Sequence, residues 1–238
     1  MSYLKGFRFN GQHSREYGIL LESYSVGTPA KRKSEVEVPF RSGTLDFSTF
    51  FTGENTFSNR EIKVKAHVVS KTTPELKVIY NKIINWLVDT NGKAELIFDD
   101  TKGYVFLAEV NVSISYEEFY TAGTFDITFT AEPFRKSVDY QGTRITWDLF
   151  NFLEDVLNET HFIVSGTQEN SFIHVGRNTT PIIRIIKGSL KLKSGNYTTP
   201  LLAVGDHIDY NFTVFKGQNA ITSYGNGEFE LLFKKEAI

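Results

Sequence analysis

Thr72 to Gly92, TTPELKVIYNKIINWLVDTNG, is the one stretch of this 238-residue chain with sustained helical periodicity, and the residues on both sides of it alternate or turn. A single helix among strands must bury its apolar stripe on a sheet, so the N-terminal half is expected to be arranged around it. Two starts fit: Thr73 as N-cap with Pro74 at the first helical position, or Thr72 paired with Glu75 in a capping box. Asn91-Gly92 supplies the stop. Leu76, Ile79, Tyr80, Ile83 and Leu87 fall within an arc of about 100°, with Ile84 and Trp86 at its margins. The opposite face carries Lys77, Asn81, Lys82, Asn85 and Asp89, with Val78 misplaced among them. An isolated helix of this length is marginal, whereas burying five large apolar side chains contributes on the order of 10 kcal/mol, so tertiary packing must hold it.

The sequence before the helix has hairpin grammar. Phe7 and Phe9 precede Asn10-Gly11, and Tyr17 to Leu21 is a second apolar run. Lys31-Arg32-Lys33 reads as a solvated loop. Val36-Glu37-Val38, Pro39 to Gly43, and Thr44 to Phe47 alternate around a turn and read as a projecting arm, with Pro39 suited to an edge or bulge. Ile62, Val64, Ala66 and Val68 alternate with polar residues, the pattern of a strand buried on one face. After the helix come strands at Ala94 to Phe98, at Tyr104 to Tyr116 with a bulge or bend expected near Asn111, and at Phe125 to Phe129.

A polar stretch from Ser137 to Gly142 reads as a linker, dividing the chain into domains 1–136 and 137–238. Asp148 to Leu157 fits either a brief helix or a packed connecting segment. Beyond it, short apolar runs at 162–164, 172–175, 182–186, 190–192, 208–214 and 229–233 are separated by Gly or Asn turns, including Gly225-Asn226-Gly227. That spacing is expected of an all-β sandwich.

Chemistry is mostly absent from these patterns. Acidic residues number 28 against 26 basic ones, which argues against a strong field for nucleic acid or an anionic membrane. There are no cysteines, so disulfides, thiol catalysis and sulfur-ligated zinc are excluded. The N-terminus has no apolar run of signal-peptide length and no segment approaches a membrane span, so the chain is expected to start soluble and intracellular, and the five Asn-x-Ser/Thr triplets carry no weight. The five histidines never fall at metal-ligand spacing, Asp99-Asp100 and Glu117-Glu118 are not a recognisable catalytic pair, and P-loop, dinucleotide and Gly-x-Ser-x-Gly patterns all fail. No enzyme, cofactor or metal is expected. Sugar binding remains chemically reasonable for the second domain, with Tyr197, Tyr210 and Tyr224 as stacking candidates; the alternative for these residues is packing between sheets or at an interface.

The ordered series FRFNGQHSREYGILL, EVEVPFRSGTLDFS, NREIKVKAHVV, the helix with its NWL, ELIFDD and GTFDITFTAEPF resembles the distal tail proteins of long-tailed phages, from roughly Ser2 to Phe134. The second half, with WDLF and PIIRI, looks like that family's C-terminal domain less specifically. The resemblance implies a mainly β fold: an N-terminal sandwich-like domain with one helix and a projecting hairpin, then a galectin-like β-sandwich. It implies a structural protein of the virion tail tip that forms a hexameric ring, joins tail tube and tail-tip proteins, holds baseplate or receptor-binding parts, and passes DNA through its channel without binding it. The alternative is a carbohydrate-binding module contacting the host wall through the second domain. Relatives often have Gly after the proline of the arm, where this chain has Phe40, and Phe does not readily take the positive φ that Gly allows. In a ring, each subunit needs two different contact patches that look misplaced on one chain. Val36, Val38, Phe40, Leu45 and Phe47 of the arm, with Val78 and Trp86 of the helix, are the candidates.

Overall fold

The computed structural model describes residues 5–50, 53–101, 103–110, 115–141, 156 and 159–238. The chain divides into two compact units, Met1–Arg135 with Ile238, and Lys136–Ala237. The expected segment at 148–157 lies outside the described residues apart from Val156, and so does Asn111.

In the first unit the strands are β1 (Phe7–Phe9), β2 (Gln12–His13), β3 (Ile19–Val26), β4 (Glu35–Glu37), β5 (Thr44–Asp46) and β6 (Arg60–Val69). Helix α1 (Thr73–Val88) follows, then β7 (Ala94–Phe98), β8 (Tyr104–Glu109), β9 (Ser115–Phe119), β10 (Ala122–Ala131) and β11 (Arg135–Ser137), the last straddling the unit boundary. One antiparallel path runs β2-β1-β7-β8-β10-β6-β3, with β9 also on β10, while β4 and β5 pair only with each other. Asn10 and Gly11, with φ of 48° and 78°, form the tight turn between β1 and β2. The long alternating run starting at Tyr104 is two strands along one edge of β10. The six-residue step from Glu109 to Ser115 spans only four residues of β10, from Thr130 to Asp126, so the register is interrupted there.

Thr72 is the N-cap of α1, its hydroxyl accepting from the Glu75 amide at 3.4 Å, which decides between the two starts. Leu76, Ile83 and Leu87 are fully buried, and Ile79 and Tyr80 pack partly buried against the same core, as the periodicity requires. Trp86 departs from expectation. It is 6% exposed, stacked on Phe7 at 5.7 Å and Tyr17 at 4.5 Å, and its Nε1 donates to the Phe9 carbonyl at 3.1 Å. The 3-10 turn Ser14–Tyr17 brings Tyr17 against this ring and widens the buried arc beyond the five-residue stripe. Trp86 is therefore a core residue and drops out of the contact candidates.

The second unit contains β12 (His161–His174), β13 (Ile182–Ser194), β14 (Tyr197–Thr198), β15 (Gly205–Ile208), β16 (Gly217–Leu232) and β17 (Glu236–Ala237). The runs at 162–164 and 172–175 fall at the two ends of β12, those at 182–186 and 190–192 both belong to β13, and 229–233 falls at the end of β16, whereas of the run at 208–214 only Ile208 lies in a named strand, β15. The long strands pair in the order β12-β16-β13. Gly225-Asn226-Gly227 is the middle of β16 and not a turn. Gly166 faces Gly225 and Gly188 faces Gly227 across the ladders, and a Cβ at Gly227 would lie 2.3 Å from the Lys187 carbonyl. The glycines let three backbones approach at a bend. Phe162, Phe172, Ile183, Leu190, Ile221 and Phe229, from both sides of that belt, meet in one core. The fold is mainly β and of the β-sandwich type.

Ile83→Ala removes a fully buried side chain facing the sheet and should cost about 2–5 kcal/mol in a urea unfolding experiment. A loss below about 1 kcal/mol contradicts the packing role assigned to α1.

Candidate assembly surface

The arm is the first unit's most unusual element. Its stem is held by an isolated bridge between Lys31 and Phe57, by the Arg32 amide on the Thr56 carbonyl at 2.8 Å and by the Ser58 amide on the Ala30 carbonyl at 2.9 Å. Above the stem, Val36 pairs with Leu45. From Lys31 to Phe50 no residue is buried; Leu45 and Ser48 alone are half-buried. Val36, Val38, Phe40, Phe47 and Phe50 are large exposed hydrophobics, Phe47 and Phe50 meeting edge to face at 5.8 Å. A lone two-stranded hairpin is marginal in water at best, and this one has no core of its own.

Phe40 resolves the departure noted at the arm tip. It adopts φ of 64° although it is not glycine, and it is fully exposed. A left-handed conformation costs about 1–2 kcal/mol for such a residue, and no burial within the chain offsets it. Phe40 is thus a strained and fully exposed phenylalanine at the tip of an apolar arm.

Two further surfaces stand on the same unit. Val78 is 55% exposed on the outer face of α1 and Val88 is similarly bare. At one end of the main sheet path, β3 pairs with β6 among the described strands and offers its other edge. The register slips between Leu21 and Ser23, so Glu22 is bulged, its carboxylate 2.6 Å from the His67 Nε2 and 3.6 Å from the Lys65 Nζ. A bulge and charges in an edge strand restrict what can pair with it. Phe50, Val88, Val69 and Tyr120 were not singled out from the sequence. The aromatic run FSTFF contained a signal for Phe50, whereas the exposure of Tyr120 comes from a turn conformation, φ of 50°, that its residue type does not announce.

The tyrosines of the second unit divide. Tyr197 packs against the core and its hydroxyl donates to the Asp209 Oδ2; that bond, with burial adding, raises the phenol above its ordinary value. Tyr210, 83% exposed, follows β15, and Tyr224 lies at the centre of β16 opposite Thr167 and Lys191, so they stand on separate elements. The histidines have structural partners: His13 with Asp99, His67 with Glu22, His161 with Glu228, and His174 and His207 donating to the carbonyls of Arg177 and Ala203. Among the described residues no group of three or more His, Asp or Glu is placed to hold a metal.

The arm, the edge strand and α1 all fall in a stretch with known relatives. The family model of the phage tail protein RIFT-related domain matches residues 16–131. The matched stretch makes up most of the N-terminal unit, which is thus similar to a phage tail domain. Over its whole length the chain is also similar in fold to the Dit (gp 19.1) protein of phage SPP1, described as a paradigm of hub adsorption apparatus in phages infecting Gram-positive hosts. The TM-score is 0.65 at 10% identity, covering 99% of this chain and 100% of that one. No curated protein sequence matches the chain. The domain match and the whole-chain fold agree with the resemblance to distal tail proteins that the ordered motifs carry.

Phe40→Gly relieves the backbone strain at the tip of the N-terminal unit's arm and deletes no buried contact. The unfolding midpoint in urea should correspond to a stability within about 1 kcal/mol of wild type. A destabilisation beyond about 2 kcal/mol contradicts a Phe40 side chain that makes no supporting contact within its own chain.

Proposed function

We propose that the chain is a tail-tip hub subunit whose N-terminal units assemble into a ring, six to a ring, at the distal end of the phage tail, while the C-terminal units attach baseplate or receptor-binding components. The observation that carries this reading is the arm: twenty consecutive residues, 31–50, include no buried residue and expose five large apolar side chains. Apolar surface concentrated on an unsupported hairpin is stable in water only when another surface covers it. A closed ring repeats one heterologous contact, so every subunit needs two different faces. The arm, through Val36, Val38, Phe40, Leu45 and Phe47, is one face, and the outer side of α1 at Val78 belongs to the second.

The near balance of 28 acidic and 26 basic residues suits a channel through which DNA slides without being held. Tail tube and other tail-tip proteins are the partners this position requires. The glycan reading is weaker, because Tyr197 is committed to Asp209 and to the core, and Tyr210 and Tyr224 stand apart. The role is structural, and no side chain is assigned to catalysis.

Val78→Glu places a charge on the proposed second face. Because Val78 is exposed in the single chain, monomer stability should stay within about 0.5 kcal/mol of wild type, while sedimentation velocity shows the ring population reduced. Full ring formation by the variant removes Val78 from the contact.

A further inference from the structure

Arg60, at the start of β6, and Arg135, at the start of β11, line one cleft, and among the described residues neither is paired with an Asp or Glu. Arg60 is 5% exposed; its Nη2 donates to the Pro133 carbonyl, and its guanidinium carbon lies 5.7 Å from the centre of the Phe106 ring. The guanidinium carbon of Arg135 lies 4.2 Å from the centre of the Tyr104 ring. Tyr104 and Phe106 are two residues apart on β8, and thus on one face of it. The Nε of both arginines is sequestered from solvent and has no hydrogen-bond partner. Burial, and then the charge of Arg135, pushes the Arg60 guanidinium below its ordinary value.

Both side chains line a cleft of about 280 Å³ that also receives Tyr24, Thr28, Thr101 and, with its α-carboxylate, the C-terminal residue Ile238; among the described residues no Asp or Glu side chain lines it, and neither arginine is ion-paired. Asp100, next in sequence to Thr101, is engaged by Lys5 at 3.2 Å and by the Tyr24 hydroxyl at 2.8 Å. Removing a guanidinium from water without an anion is costly, and placing a second one beside it adds repulsion. An oxyanion reverses both effects, and the planar fork of arginine is matched to one.

We propose that the Arg60–Arg135 cleft is an oxyanion-binding site, taking either a free inorganic anion of the phosphate type or a carboxylate presented by an adjoining protein chain. Its volume admits one such group. The site is independent of the ring-contact faces proposed above.

The test uses the full chain, titrated separately with sodium phosphate and sodium acetate at constant ionic strength while the thermal midpoint is followed. A saturable rise with an apparent Kd on the order of millimolar is expected for at least one of them. Arg135→Gln, at a half-buried position, should weaken that affinity about tenfold or more. Arg60→Lys, which keeps the charge and loses the fork, should weaken it as well. A response to phosphate alone supports the inorganic source, and a response to acetate supports a presented carboxylate. No saturable rise with either anion, or an equal rise in wild type and Arg135→Gln, overturns the site.

Discussion

The ten-residue ladder between β6 and β10 is the constraint on which the N-terminal unit depends. Ile62 faces Phe129, Val64 faces Ile127 and Ala66 faces Phe125, and all six side chains are buried on the face that packs with α1. Because the side-chain period of a strand is two, a slip of one residue would turn this set to solvent and bring Glu61, Lys63, Lys65 and Asp126 inward. Register, sheet order and the seat of α1 are thus one decision. Once it is made, the far edge of β6 can only accept β3, and the far edge of β10 is shared by β8 and β9.

What that core does not absorb defines the biology. A strongly specified sheet with a well-seated helix carries an arm that obeys none of the same rules: large apolar residues stand exposed, and Phe40 is held in a left-handed conformation with its side chain fully exposed. Natural chains break local rules where function demands it, and in the first unit such breaks include five exposed apolar side chains on one hairpin and two on the outer face of one helix. The separation is physical. Residues answering to the β6–β10 ladder stabilise the monomer, and residues ignoring it are available to neighbours.

Much of this was legible in the sequence because period and position coincide there. Leu76, Ile83 and Leu87 read as core and are core; Val78 read as misplaced and is exposed; β7 begins and ends where its apolar run does. Trp86 was misread because its burial depends on Tyr17, supplied by a 3-10 turn about seventy residues earlier, which helical periodicity does not contain. Gly225-Asn226-Gly227 was misread for a related reason. Glycines that punctuate a single strand and glycines that let neighbouring strands meet at a bend have the same local signature, and only the ladder partners Gly166 and Gly188 distinguish them. The left-handed Phe40 runs against its own residue type, so no propensity in the sequence announces it. Arg60 and Arg135, seventy-five positions apart, carry no sequence signal of their proximity.

The central claim is that this chain is built to be one of several identical copies around an axis. Native mass spectrometry of the purified full chain measures that directly. The account predicts a dominant species of about six times 27.1 kDa, and a stable monomer at 27.1 kDa across the micromolar range would contradict it.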